Sequence, residues 1–189
     1  MASINTFFGY KMQQTDTFRL IRRAGFEGVI LRWSDSFDDV VCELQPDQAR
    51  KAGLAVENIH ARFRDDNGLW RDNLDGEALT RRLFEFIDDC HRYEIPTMVV
   101  HINDGETPPP FNELGLSRVL RIAEKAEQLR RNVAFENTRT AECLAIFLNR
   151  YIPGESGFVT IAVISIAVRR MWICLVNKAP SDGAAPSRQ

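Results

Sequence analysis

Residues 132–138 have the sequence NVAFENT, a short apolar run that follows a charged segment and stops at a carboxylate. The apolar residues 133–135 are typical of a buried strand, because charged residues precede them and polar residues follow. Glu136 therefore stands where a strand gives way to a loop, which is where parallel α/β sheets and barrels bind ligands. Two earlier predicted strands end in the same way, at His60 and His101.

His60, His101 and Glu136 are the main candidates for chemistry. Strand ends of one parallel sheet bring sequence-distant residues to one rim, and neutral imidazole and carboxylate are common ligands of divalent metals. Such an ion can polarise a carbonyl, stabilise an enediolate or lower the pKa of bound water to about 7. The alternative is that each histidine merely hydrogen-bonds a loop. The three positions together favour the metal site.

The order of apolar patterns predicts a strand followed by a helix, five times over. The predicted strands cover residues 3–8, 28–31, 54–59, 97–101 and 133–135, and the predicted helices cover 15–24, 46–51, 76–93, 112–130 and 141–151. Repeated βα units imply a parallel sheet with right-handed crossovers. Two architectures fit, an open doubly wound sheet and part of a (β/α)8 barrel. A complete barrel typically needs about 250 residues, so this chain has room for five units and a tail.

Three further polar or aromatic residues are candidates for contact with a substrate. Asn58 lies near the end of the third predicted strand. Trp70 lies in the long loop 61–75, whose length exceeds the usual connection of about 4–6 residues and is typical of a functional loop. Trp70 could equally anchor that loop on the domain. Asn137 could contact a substrate or cap the next helix.

The composition excludes several classes of protein. The 189 residues are 44% hydrophobic and 26% charged, and the net charge of -2 gives no attraction for nucleic acid or an anionic membrane. The cysteines are widely spaced, and no signal peptide is predicted, so we expect a reduced, cytoplasmic protein. There is no dinucleotide-binding, P-loop or α/β-hydrolase motif. Asp88 and Asp89 lie within a predicted helix, where we expect them to be solvated.

Four segments resemble one known family, the xylose isomerase-like TIM barrels of the sugar phosphate isomerase/epimerase group, which have AP endonucleases as relatives. They are GFEGV at 25–29, ENIHA at 57–61, VVH at 99–101 and VAFENT at 133–138. Their order and spacing match the family across residues 3–151.

The resemblance implies a divalent metal, such as Mn, Zn, Mg or Co, at the carboxyl rim and a sugar as the substrate. It makes Glu136 the metal ligand of the fifth strand and a participant in proton transfer. His101 and His60 match positions that bind metal in the endonuclease relatives. In the sugar enzymes the same positions more often line the substrate pocket. The runner-up function is a metal-dependent phosphodiesterase acting on abasic DNA, against which the net charge argues. A third possibility is a non-catalytic fragment or interaction protein.

The resemblance stops after Tyr151, and the sequence lacks the Asp, His and Glu ligands that the family takes from strands six to eight. Residues 158–168 are apolar and predict a buried sixth strand. A shifted frame over the codons for 157–163 is compatible with the family's sixth-strand pattern FCYDSGH. We therefore hypothesise a barrel domain at 1–156, a partial TIM barrel, and an atypical, out-of-frame tail at 157–189. We expect weak or no activity, and self-association through the exposed sheet edge.

Overall fold

A computed structural model describes residues 2–7, 9, 12–34, 41–61, 66–105, 107–136, 163–164 and 173–174. Its main feature is a five-stranded parallel sheet. The strands are β1 (Ser3–Asn5), β2 (Gly28–Trp33), β3 (Ala55–Ala61), β4 (Thr97–His101) and β5 (Asn132–Glu136). The helices are α1 (Gln14–Arg23), α2 (Gln45–Lys51), α3 (Leu74–Arg92) and α4 (Glu113–Gln128), with short 3₁₀ helices at Cys42–Leu44 and Asp66–Trp70.

The strand order of this sheet is sequential, β1-β2-β3-β4-β5, and every neighbouring pair is parallel. A doubly wound sheet reverses its strand order at a switch point, and the described strands contain no such reversal. Sequential right-handed crossovers place the connecting helices on the same side of the sheet. The topology is therefore that of a (β/α) barrel, as the second of the two predicted architectures requires.

The two faces of the sheet differ in composition because side chains alternate along each strand. The outer face forms the core with the helices, and its central side chains are fully buried: Leu31, Ile59, Met98, Val100 and Phe135. The inner face carries the polar residues, and from β2 to β5 it includes Arg32, Asn58, His60, Val99, His101, Ala134 and Glu136. The candidate site residues thus share one face.

A β-bulge determines which side chains of β3 lie on the inner face of the sheet. The register between β2 and β3 shifts between Val29 and Ile30, which leaves Glu57 as the extra residue of β3. Side chains normally alternate between the two faces, and one extra residue shifts this alternation by one position. The apolar residues of β3 before and after the bulge therefore both lie on the outer face. As a result Asn58 and His60 turn to the inner face.

β2 and β3 each run further than the sequence predicts. β2 continues through Trp33, whose ring is buried on the outer face and whose Nε1 donates a hydrogen bond to Asp89 Oδ2 at 3.0 Å. The prediction that Asp89 is solvated was wrong, because this residue of α3 is half-buried and burial raises the pKa of its carboxyl. β3 continues to Ala61, so His60 lies inside the strand.

Side-chain caps begin the two long helices. The Asn73 carboxamide accepts a hydrogen bond from the Gly76 backbone N–H at 3.0 Å, and that of Asn112 accepts one from the Gly115 N–H at 2.8 Å. Asparagine satisfies otherwise unpaired N–H groups at a helix start in this way. Both caps follow the loops that leave the carboxyl rim, and so they fix where these loops end.

A buried arginine holds the 3₁₀ helix Asp66–Trp70 against α4. The Arg118 side chain is 4% exposed, and its Nη1 donates to the carbonyls of Gly68, Leu69 and Arg71 at 3.3, 2.9 and 2.7 Å. The loop after β3 was predicted without regular structure. In this part it forms a 3₁₀ helix, and hydrogen bonds from Arg118 to its backbone carbonyls hold it in place.

Two short strands of the tail pair with each other. β6 (Val163–Ile164) pairs antiparallel with β7 (Ile173–Cys174) in a separate two-stranded sheet. The predicted sixth strand, 158–168, is described only at residues 163–164. These two residues pair with β7 and so lie outside the parallel sheet. The predicted helix 141–151 lies outside the described residues, and the domain boundary at 156 stays a prediction. None of the described helices combines the length and apolar character needed to cross a membrane.

Candidate metal site

His60, His101 and Glu136 come together at the carboxyl ends of β3, β4 and β5. His101 and Glu136 are direct ladder partners on β4 and β5, and His60 pairs with Val99 on the other side of β4. The sheet therefore positions all three side chains from rigid strands. This is the constellation that the sequence predicted.

One carboxylate oxygen of Glu136 faces both imidazoles. Its Oε2 lies 3.1 Å from His60 Nε2 and 3.6 Å from His101 Nε2. The two imidazole centroids are 5.0 Å apart, and their planes are tilted by 52°. The ligand atoms of the three residues all lie within 4.8 Å of one another.

Burial keeps part of this cluster uncharged. His101 is 8% exposed and Glu136 is 5% exposed, whereas the His60 side chain keeps 20% of its surface accessible. Burial lowers the pKa of His101, and the nearby Glu136 carboxylate only partly opposes that effect. A neutral histidine keeps a lone pair on one ring nitrogen, and this lone pair can bind a metal.

The distances from Glu136 to the two histidines fit ligands of one divalent ion. Zinc bonds to histidine nitrogen and carboxylate oxygen are about 2.0–2.2 Å long, so two ligand atoms of one ion lie about 3–4 Å apart. The separations of 3.1 and 3.6 Å from Glu136 Oε2 fall in that range. A donor set of two imidazoles and one carboxylate suits zinc and neighbouring transition ions, and a carboxylate with water also suits magnesium.

Asn58 lies on the same inner face as this cluster. It lies two residues before His60 on β3, with the same orientation. Its side-chain Oδ1 is buried and has no hydrogen-bond partner among the described residues. Such an acceptor is available to a hydroxyl donor of a bound ligand.

Trp70 is placed as a loop anchor. Its side chain is 3% exposed, it stacks on Phe111 with centroids 3.9 Å apart, and its Nε1 donates to the Ile102 carbonyl at 2.6 Å. This is the alternative role that the sequence left open, and a contact of Trp70 with substrate stays a prediction. Asn137 lies outside the described residues, so its substrate contact also stays a prediction.

Arg32 is an inner-face residue that lies just beyond the predicted strand 28–31. It pairs with His60 across the β2–β3 ladder, and its guanidinium carbon lies 4.3 Å from the centre of the Phe7 ring. Arg32 lies between the apolar residues Leu31 and Trp33, and this alternation is the sequence signal that the strand continues through Arg32.

The fold and this cluster define part of a TIM barrel, with five parallel strands, four helices between them and a His-His-Glu group at the carboxyl rim. Solved structures to which the chain is similar include xylose isomerase-like TIM barrels and sugar epimerases. The chain is similar to an L-ribulose 3-epimerase with 16% identity and a TM-score of 0.67, over 85% of this chain and 59% of that one. It is similar to a D-allulose 3-epimerase from Methylomonas sp., solved in complex with D-allulose, with 13% identity and a TM-score of 0.65, over 85% and 61% of the two chains.

A third similar structure is a xylose isomerase-like TIM barrel protein from Mycobacterium smegmatis in complex with magnesium, with 14% identity and a TM-score of 0.58, over 78% of this chain and 55% of that one. This chain thus covers less than two thirds of the length of these proteins. No protein-family model matches the sequence, and no curated protein matches it significantly. At these identities the likeness establishes the xylose isomerase-like TIM-barrel fold, as the sequence resemblance predicted.

Proposed function

We propose that this chain carries part of the active site of a metal-dependent sugar or sugar-phosphate isomerase or epimerase. The observation that carries the proposal is the convergence of His60, His101 and Glu136 at the carboxyl rim, with their ligand atoms within 4.8 Å of one another. Ligands of TIM barrels bind at this rim. The similar structures named as L-ribulose and D-allulose epimerases support sugar as the substrate class.

In this proposal the three residues would hold a divalent ion, Mn, Zn, Mg or Co. The bound ion would supply Lewis-acid stabilisation of negative charge on a substrate oxygen. Glu136 would take part in moving the proton next to the substrate carbonyl, because its buried carboxylate lies within the cluster. His60, the most accessible of the three, would face the substrate, and Asn58 Oδ1 would accept a hydrogen bond from a sugar hydroxyl.

The five described parallel strands supply one side of such a site, and we expect weak turnover from this chain by itself. We also propose that the chain self-associates. Strands β1 and β5 are the outer strands of the described parallel sheet, and unpaired strand edges invite pairing with another chain. Light scattering after size-exclusion chromatography tests this, and a monomer at all concentrations would contradict it.

Solvent exchange tests the chemistry directly. D-allulose and D-fructose would be incubated with the full chain in D₂O and excess Mg²⁺, and loss of the proton next to the carbonyl would be followed by NMR. We expect slow exchange that Glu136→Gln abolishes and that Glu85→Gln, an exposed substitution on α3, leaves unchanged. Exchange that survives Glu136→Gln would contradict the assigned role. Incision of an abasic-site oligonucleotide without sugar exchange would favour the phosphodiesterase alternative.

A further inference from the structure

The backbone that follows His101 is held largely by side chains of the neighbouring loop. Ile102 and Asn103 are buried, although β4 ends at His101. The Ile102 N–H donates to the Glu136 carbonyl at 3.1 Å, whereas the Ile102 carbonyl accepts a hydrogen bond from Trp70 Nε1, in the loop after β3. A buried backbone carbonyl needs a partner of this kind beyond the end of a strand.

Asn67 holds the same stretch of backbone further along the chain. Its Nδ2 donates to the Asp104 carbonyl at 2.8 Å, and its Oδ1 accepts from the Asp104 N–H at 3.0 Å. One carboxamide thus satisfies both backbone groups of Asp104, as a facing residue does in a hydrogen-bonded antiparallel pair. Trp70 and Asn67 together define the path of the chain as it leaves the carboxyl rim.

The segment that carries these two side chains is itself fixed. Asn112 Nδ2 donates to the Trp70 carbonyl at 2.6 Å, and Arg118 donates to three backbone carbonyls of the same loop. The Trp70 ring lies so close to Gly115, near the start of α4, that a Cβ there would overlap it. The start of α4 therefore supports this segment, and the segment in turn supports the backbone after His101.

His101 is the metal-site residue that this support reaches most directly. A functional site needs its groups held to within about 0.5 Å. His101 is the last residue of β4, and its Nε2 lies 3.6 Å from Glu136 Oε2. A shift of the backbone directly beyond His101 would move the imidazole relative to that oxygen, and the two ligand atoms would no longer suit one ion.

We infer that Trp70 and Asn67 are positioning residues for His101 as a metal ligand. They hold residues 102–104 and thereby fix the imidazole in the place where it can share an ion with Glu136. This inference rests on the proposed function and deepens it, because it extends the metal site to two side chains of the loop after β3.

Titration of the full chain with Co²⁺, followed by visible absorption and without any sugar, tests the inference. Trp70→Phe keeps an aromatic ring but removes the N–H donor, and Asn67→Ala removes both hydrogen bonds to residue 104. We expect each variant to bind Co²⁺ about tenfold more weakly than the wild type, with an altered d–d spectrum. Asn73→Ala is the matched control, because it removes a helix cap in the same loop whose contacts are to Asp75 and Gly76, and it should keep wild-type affinity.

A double-mutant cycle separates positioning of His101 from a general structural role. If Trp70 acts through His101, then Trp70→Phe should cause no further loss of Co²⁺ affinity in the His101→Ala background. Loosening of the whole domain would instead weaken binding by the same factor in both backgrounds. Urea unfolding of each variant, measured without metal, shows whether the control and the test variants are equally destabilised.

The inference is overturned if the wild type binds no Co²⁺, if Trp70→Phe and Asn67→Ala bind it as the wild type does, or if the loss persists in the His101→Ala background. It is also overturned if Asn73→Ala loses as much affinity as the two test variants. The proposed function fails separately. If Co²⁺ binding follows the expected pattern but the chain exchanges no sugar proton, the positioning of His101 stands and the isomerase or epimerase chemistry does not.

Discussion

Replacing the buried Arg118 with methionine tests how the loop after β3 is held. In the folded chain, Arg118 Nη1 donates to three carbonyls of the segment that carries Trp70. Leu69 is buried, so its carbonyl loses a donor that water cannot easily replace. The Gly68 carbonyl keeps the hydrogen bond that it accepts from the Arg71 backbone N–H at 3.1 Å, and Arg71 is exposed, so its own carbonyl can be rehydrated. An unsatisfied buried polar group costs about 1–3 kcal/mol.

One such carbonyl gives a loss of about 1–3 kcal/mol. Removing the guanidinium also removes the unfavourable desolvation of a buried charge, which offsets part of that loss. We therefore expect Arg118→Met to lower the free energy of unfolding by about 1–3 kcal/mol, an appreciable fraction of the roughly 5–15 kcal/mol of a typical domain.

Arg121→Met is the matched control. Arg121 lies one turn further along α4 and shares the partner Glu77, at 2.8 Å, but its side chain is 44% exposed. A solvent-exposed ion pair contributes about 0–1 kcal/mol. Urea unfolding of both variants measures the difference through the midpoint, provided that the m-value is unchanged. Equal losses in the two variants, or a loss below about 1 kcal/mol for Arg118→Met, would refute the reasoning.

Four more predictions follow from single contacts. Gly115→Ala should cost about 1–3 kcal/mol in urea unfolding, because a Cβ there overlaps the ring of Trp70; a gain in stability would contradict this. Burial raises the pKa of Asp89 and penalises its ionised form, so the wild type should gain stability relative to Asp89→Asn as the pH falls from about 7 towards about 4; a constant difference in Tm would contradict this. Burial raises the pKa of Cys90 to about 12, so its thiol should resist a maleimide at about pH 8 until urea unfolds the chain. Sequencing the coding DNA past the fifth predicted helix should show a shifted frame with Asp, His and Glu strand ends, and three frames without them would end the frameshift hypothesis.

The sequence predicts the parallel fold well because its signals are local. Apolar runs mark the strands and helices near their observed positions, whereas the caps at Asn73 and Asn112 were not predicted. His60, His101 and Glu136 were found because each ends an apolar run, and parallel strand ends meet at one rim.

Other features depend on contacts between distant residues. The bulge at Glu57 is visible only in the register with β2, and it decides which way His60 faces. The half-buried Asp89 accepts a hydrogen bond from Trp33, which lies 56 positions earlier in the sequence. Trp70 is a loop anchor because it stacks on Phe111 and bonds to the backbone after β4. No periodicity within a single segment encodes such pairings.

Metal binding by the full chain tests the central claim most directly. Equilibrium dialysis against Zn²⁺, Mn²⁺ or Co²⁺ would be compared for the wild type, His60→Ala, His101→Ala and Glu136→Gln, with His91→Ala, an exposed histidine of α3, as the control. We expect about one ion per chain for the wild type and His91→Ala, and at least about tenfold weaker binding for each of the other three variants. Wild-type binding no stronger than that of the three site variants would contradict the assignment of His60, His101 and Glu136 as a metal site.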